Sequence, residues 1–584
     1  MIKKNIKGTF ILVVLAALTF TSCQDFLEVE PQDKLNKDQV YRDIFDADAA
    51  VVGVYGRLME LARKYVVLNE LRADLVSPTE NADLTFRELS EHSVSAENPY
   101  ANPKDFYEVI NMCNDILKNF ELMRADFRLD TDEFNERYSD IGTLRSWLYL
   151  QLGMHYGAVP YITEPIENID DIGNPSNFER MPLEQLIDEL VEFTESLPYT
   201  DLYSENSSLV ISIDGYNTPK FFINKGCLLG DLQLWNGNYL EAASHYKNVM
   251  ETGTGSGDIA VLFDTYRLGS RNVSTNDDLS VGYIRFREQD ATGLVNNNTQ
   301  GWRSIFAREK DARWNTEWIW SLPFDSNFAP KNPFIDLFSN QGGNYLLKPS
   351  QRAIDLWKNQ TQRNDIPYDA RGEKFSYNII NDQEVIVKYL FNYLDFTNFM
   401  PVDEFERDGD WFLYRAAKLH LRFAEAANRD GQHRLADALL NNGIQSAYGD
   451  PENDPDVTDF EQTHLPFPYN FDARQGDFPY YRGDWHRNEG LRGRAYVEFK
   501  EVIGDSLISI ENDLIEESAL ELAFEGNRWG DLVRISLRRG DPAFLADKIY
   551  EKLSKEGNAN ADEVRSKLMN TENWYLPFNW KEEE

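Results

Sequence analysis

The groups best suited to recognition chemistry fall in three clusters. Arg72, Asp74, Asn81 and Asp83 sit within and just after the stretch Glu70–Asp74 and offer directional hydrogen bonds. Trp302, Trp314, Trp318 and Trp320 crowd one short segment, and Tyr480, Tyr481 and Trp485 are interleaved with Asp, Arg and Asn in FPYNFDARQGDFPYYRGDWHRNEG. Rings with polar neighbours stack on the apolar C–H face of a sugar while the neighbours bond its hydroxyls, or they fill a satellite core. The same mixture also suits a peptide, which needs backbone partners and tolerates varied side chains.

Catalytic readings find little support. His92, His155, His245, His420, His433, His464 and His486 are scattered, with no HExxH and no close pair suited to zinc. There is no G-x-S-x-G elbow, and GTGSGD at 253–258 lacks the lysine of a phosphate loop. A surface glycoside hydrolase remains the alternative of another class. It would require two cleft carboxyls about 5 Å or about 6.5–9.5 Å apart. DPENDPDVTD at 450–459 has oxygen ligands enough for a structural calcium, but it lacks the EF-hand glycine and final glutamate, so a solvated acidic loop is its default. No other cofactor is indicated.

The address is written first. Lys3, Lys4 and Lys7 precede an apolar run from Phe10 to Phe20, and small polar residues lead to Cys23. The stretch resembles a bacterial lipoprotein signal, although Phe20 replaces the usual leucine; an ordinary secretory peptide is the other reading. The resemblance implies cleavage before Cys23 and acylation of that residue, an essentially permanent membrane anchor. Residues 1–22 are thus excluded from the fold, and 23–36 read as an acidic tether. The formal charge is −39, and loss of the three lysines takes the mature chain to −42. Such a field repels nucleic acid. Composition, 42% hydrophobic and 13% aromatic, still provides a large core. Cys113 and Cys227 lie in apolar helical patterns and read as buried free thiols, with a disulfide between them as the alternative.

The elements that must carry these groups are mainly helical. Apolar residues recur at three- and four-residue steps at Val51, Val54, Leu58, again at Phe106, Ile110, Cys113, Leu117, and again at Ile141, Leu144, Leu148, Leu152. Residues 221–250 form two helical runs around a turn at Asn236–Asn238, with Gly230 and Ala243 small enough for close approach. A similar pair is expected from Trp411–Ala427 and LADALLNNGI. Segments 251–410 and 447–494 read as long insertions, with EWIWSLPF and VIVKYLF as short strands. In SALELAFEGNRWGDLVRISLRRGDP, Leu520, Ala523 and Phe524 are placed on a helix, and the charges around Trp529 imply buried ion pairs between helices. The fold class is mostly α: an irregular tetratricopeptide-like helical-hairpin scaffold with loop-rich insertions and minor β structure.

Cys23, VYGRLM at Val54–Met59, RSWLYLQLGMHYGAVP at Arg145–Pro160, GNYLEAA, AEAAN at Ala424–Asn428, ELAFEGNRWGDLVR and the closing WYLPF resemble, in this order, the SusD/RagB family of outer-membrane nutrient-binding lipoproteins of Bacteroidota. The resemblance implies a single domain over 37–584 with four tetratricopeptide-like helix pairs supporting a variable ligand-facing region. It implies a lid, lipid-anchored in the outer membrane and facing the extracellular side, over a SusC-like TonB-dependent transporter that receives captured oligosaccharide or peptide, and no catalysis. Oligosaccharide is the expected ligand. The chain departs from the family's text after AEAAN, where GIQSAYG and an insertion delay the LRGR motif to Leu491–Arg494.

Overall fold

The computed structural model describes residues 40–166, 178–251, 302–307, 317–363, 365–448, 461–471 and 490–578. The signal, the Cys23 tether, Trp314, the acidic loop 450–459, Tyr480, Tyr481 and Trp485 lie outside them.

Helix α1, Ile44–Met59, begins where the Asp43 side chain accepts the N–H groups of Phe45 and Asp46, and it buries the expected stripe of Val51, Val54 and Leu58. Helices α2, Lys104–Ala125, and α3, Thr131–Tyr156, pack side by side. Asp130 and Glu133 form a capping box at the start of α3. From Ser139 onward α3 is buried on every side, so it is the axis around which the N-terminal helices gather. Against it lies α4, Leu183–Glu195.

The pair α5, Lys225–Asn236, and α6, Tyr239–Met250, follows. A Cβ at Gly230 would stand 2.4 Å from the Tyr246 ring, so the small residue sets their spacing. Helices α7, Ala416–Arg429, and α8, His433–Leu440, make another neighbouring pair. The C-terminal part is α9, Ser506–Glu521, α10, Arg528–Arg539, α11, Ala543–Lys555, and α12, Ala561–Leu568. Among the described residues no helix is long and apolar enough to cross a membrane.

The β structure consists, among the described residues, of antiparallel two-stranded ladders. Strand β1, Val76–Pro78, pairs with β3, Leu347–Pro349, and β2, Trp318–Phe324, pairs with β4, Gly409–Arg415. EWIWSLPF is therefore a strand as read, but Trp411–Tyr414 is not helical. Trp411, Phe412, Leu413 and Tyr414 are all buried, and the helix starts only at Ala416. In VIVKYLF only Val385 and Ile386 belong to a strand, Gln383–Ile386; Lys388 leaves the ladder to bond the carbonyls of Glu521 and Ala523. Helix α9 likewise stops at Glu521, short of Ala523 and Phe524, because the chain turns through positive φ at Phe524 and Gly526. Cys113 and Cys227 are free and buried, and burial pushes the Cys113 thiol up to about 12. Segment 251–410 holds helices of its own, Phe334–Phe338 and Gln351–Lys358, so it is more than a loop region.

Candidate functional site

Five of the residues singled out for recognition are core. Arg72 is 1% exposed: its guanidinium lies 3.0 Å from His155 Nδ1, donates to the Trp574 carbonyl and stacks 4.1 Å above the Trp529 ring. Burial lowers its pKa to about 9. Asp74 is fully buried and accepts two hydrogen bonds from Arg528 at 2.7 and 2.9 Å, with Arg352 at 2.8 Å. Burial works to raise its pKa, but the two guanidiniums hold the carboxyl well below the usual range. Trp302, Trp318 and Trp320 are buried as well. Trp320 donates its indole N–H to the Phe221 carbonyl and meets Trp147 edge-on, Trp318 packs against Phe412, and Trp302 meets Phe306. Long-range partners hold these groups inside, so their polarity and rings serve the interior rather than a ligand.

Asn81 and Asp83 remain on the surface. Asp83 caps the helix Leu84–Ser90, while the Asn81 side-chain amide donates to the Asn344 carbonyl at 3.1 Å. Asn81 thus touches the insertion two residues from Gly342, and Gly342 lines a pocket of about 570 Å³.

The pocket is made by segments 325–342 and 393–407. Tyr393 is buried, and its hydroxyl has no hydrogen-bond partner among the described residues. At Gly342, with φ +73°, a Cβ would meet that hydroxyl at 2.2 Å, so glycine is what lets the tyrosine reach the pocket. Arg407 is fixed by Asp336 at 3.2 Å and the Gly342 carbonyl at 2.7 Å. Opposite, Ser326 donates to Asp408 at 2.7 Å and the Asn332 amide to the Asp408 carbonyl at 3.3 Å. Beside these oriented groups stands Phe405, 87% exposed. Lys331 and Glu404 add one charge of each sign. The set offers a flat apolar platform beside donors and acceptors that are already held in place. It contains no histidine or cysteine, and among the described residues no His/Cys/Asp/Glu group is arranged to hold a metal ion.

No tryptophan marks this pocket in the sequence. The available signal was Phe405 itself, an aromatic residue alone in the acidic run VDEFERDGD.

A buried network of charges anchors the walls. Arg371 bonds Asp369, Glu517 and Glu521; Arg415 bonds Glu317, Glu521 and Glu525; Arg494 bonds Glu317 and Glu521; Arg492 bonds Glu517; and Lys388 bonds Glu525. Among the described residues five cations meet five carboxylates, so their formal charges balance. Burial acts to raise the pKa of Glu521, but Arg494, Arg415 and Arg371 hold it well below the usual range. A second cluster joins Arg422, Asp531, Arg534 and Glu425, tying α7 to α10. The ion pairs expected between helices are therefore present on a large scale, and they root both insertions in α9.

Comparison with known proteins agrees with this architecture. Residues 357–582 match the SusD family. A SusD-like protein of Formosa agariphila is 25% identical over 198 residues, which is 33% of this chain. The match spans only 38% of that relative's length. Among solved structures, a SusD superfamily protein from Bacteroides vulgatus aligns with a TM-score of 0.53 at 15% identity, covering 90% of this chain and 92% of its own. Surface glycan-binding protein A from Bacteroides uniformis aligns with a TM-score of 0.52 at 14% identity, covering 91% and 95%. The family match contains all of α9 and α10, the helices in which the ion network is rooted, and the likeness to solved SusD superfamily structures runs along nine-tenths of the chain: residues 357–582 match the SusD family, and the chain as a whole has a SusD-like fold.

Proposed function

We propose that the protein is a nutrient-binding lipoprotein of the outer membrane that captures an oligosaccharide at the Phe405 pocket and passes it to a SusC-like TonB-dependent transporter. The observation that carries the glycan reading is the exposed Phe405 ring beside the fixed polar groups. A sugar lays its C–H face on that ring while its hydroxyls meet Tyr393, Asn332 and Arg407. Asn81 and Asp83 extend the recognition surface at the rim, and Trp314, Tyr480, Tyr481 and Trp485 supply further contacts. The protein binds its ligand without cleaving it. Cys23 carries the lipid, the tether 23–36 gives the body reach, and the body faces the extracellular side.

Calorimetry of the purified chain against a glycan panel and a protein digest tests the ligand class. Phe405→Ala is expected to weaken glycan binding by about 1–3 kcal/mol, the range for flat rings stacked on aromatic side chains. Binding confined to peptides overturns the glycan reading, and shortened glycan products overturn the non-catalytic one. Cys23→Ala should abolish outer-membrane attachment, and crosslinking of intact cells should recover the transporter; failure of either removes that part of the proposal.

A further inference from the structure

A second recess, of about 380 Å³, lies on other elements, where the helix Gln351–Lys358 meets α9, α10 and the start of α11. Arg352, Arg528, Arg539 and Lys548 all line it, a concentration of positive charge in a chain with 98 acidic and 59 basic residues. Three of the four are engaged. Arg528 bonds Asp74 and the Ile515 carbonyl, Arg352 bonds Asp74 and Glu551, and Arg539 bonds Glu511 and Asn512.

Lys548 differs. Its ammonium donates no hydrogen bond to any described residue and rests 4.1 Å above the Phe544 ring, which also carries the Arg539 guanidinium at 4.6 Å. Two of the three carboxylates of the recess are ion-paired. Glu516 pairs with Lys500 at 2.8 Å, Asp547 with Arg565 at 2.6 Å, and Asp541 accepts the Ala543 N–H. Burial, followed by the charges of Arg528 and Arg352, lowers the Lys548 pKa to about 8, with Asp74 and Glu551 acting the other way. The recess therefore contains a cation that forms no ion pair with the described residues, next to an apolar wall of Leu356, Ala519 and Phe544.

We infer that this recess binds an oxyanion group, the carboxylate of an acidic sugar or a sulfate, with Lys548 donating the charge-assisted hydrogen bond and the apolar wall receiving the rest of the ligand. The site is independent of the Phe405 pocket. An acidic glycan would be held by its charge here, whereas a neutral one would not.

The test is titration of the purified full chain with sodium glucuronate and with sodium sulfate at constant ionic strength, chloride being the reference. Saturable binding of at least one anion is expected, and the pair separates a carboxylate site from a sulfate site. Lys548→Gln should weaken it about tenfold or more, as loss of one charge-assisted hydrogen bond implies, while Lys548→Arg retains binding. Affinity should also fall in the unaltered protein as pH rises through about 8, where the ammonium loses its proton. Lys548→Gln leaves binding at the Phe405 pocket unchanged, which separates this inference from the glycan proposal. No saturation beyond chloride, or equal affinity in Lys548→Gln, overturns it.

Discussion

Replacing Glu521 by Gln removes one negative charge from a buried cluster that is otherwise balanced. The carboxylate accepts from Arg371 at 2.7 Å, Arg415 at 2.8 Å and Arg494 at 2.7 Å. Glutamine keeps the shape and one acceptor oxygen, which can still receive Arg415 and Arg494, so the charge-assisted hydrogen bond from Arg371 is lost, at roughly 1.5–3 kcal/mol, and the two that remain lose their anionic acceptor. Uncompensated positive charge is then left in the interior, and the expected loss is about 3–5 kcal/mol, as for other broken buried pairs. Urea denaturation followed by circular dichroism measures it, provided the dependence on denaturant is unchanged. The sign with pH is also fixed. The folded-state pKa of Glu521 is depressed, so its stabilisation is complete above the unfolded carboxylate value of about 4.3 and fades as pH falls below it. The difference between Glu521→Gln and the unaltered protein should therefore shrink on acidification. Adding Arg494→Met, which restores neutrality, should recover at least about 1 kcal/mol. A loss under about 1 kcal/mol at neutral pH would refute the claim that charge balance holds this region together.

Gly230→Val should destabilise the protein by about 1–3 kcal/mol in thermal unfolding, because its Cβ enters the Tyr246 ring. Phe405→Ala should leave the unfolding free energy within about 0.5 kcal/mol of the parent, since the ring is exposed. Asp140 accepts from Tyr55, and burial, against the pull of Lys225, lifts its pKa to about 6. Its raised value costs nothing below the unfolded range and costs most above pH 6, so Asp140→Asn should be stabilising at pH 7, by up to about 3 kcal/mol, and neutral near pH 3.5. Denaturation at the two pH values checks this, and a variant that gains relative stability on acidification would contradict it.

What the sequence disclosed followed from one-sided packing. The stripe Val51, Val54, Leu58 is readable because α1 buries one face, and Gly230 is readable because two helices meet there. Strand β4 is buried on both faces, so it carries no alternation, and its aromatic run fits a helical period as well as a strand. Arg72 and Asp74 look like ligand groups in the sequence because their partners, Trp574 and Arg528, lie hundreds of residues away and leave no local mark. The tryptophans misled for a related reason: ring content is visible in composition, but which rings turn inward depends on the pairing of β2 with β4. Phe405 was the reverse case, one phenylalanine whose acidic neighbours hid its exposure.

The contacts that close the N-terminal helices have a consequence for biosynthesis. Glu70 accepts the N–H groups of Gly526 and Asn527, the Lys552 ammonium rests on the carbonyls of Leu71 and Ala73, and Arg72 on that of Trp574. A nascent chain delivered from its N-terminal end reaches none of these partners until nearly all of it has emerged. Until then an arginine and a glutamate destined for the interior stay hydrated, and the early helices stay open to chaperones and proteases. A chain cut before Trp574 lacks the carbonyl that receives Arg72, so the N-terminal helices close only once the C-terminal segment is present.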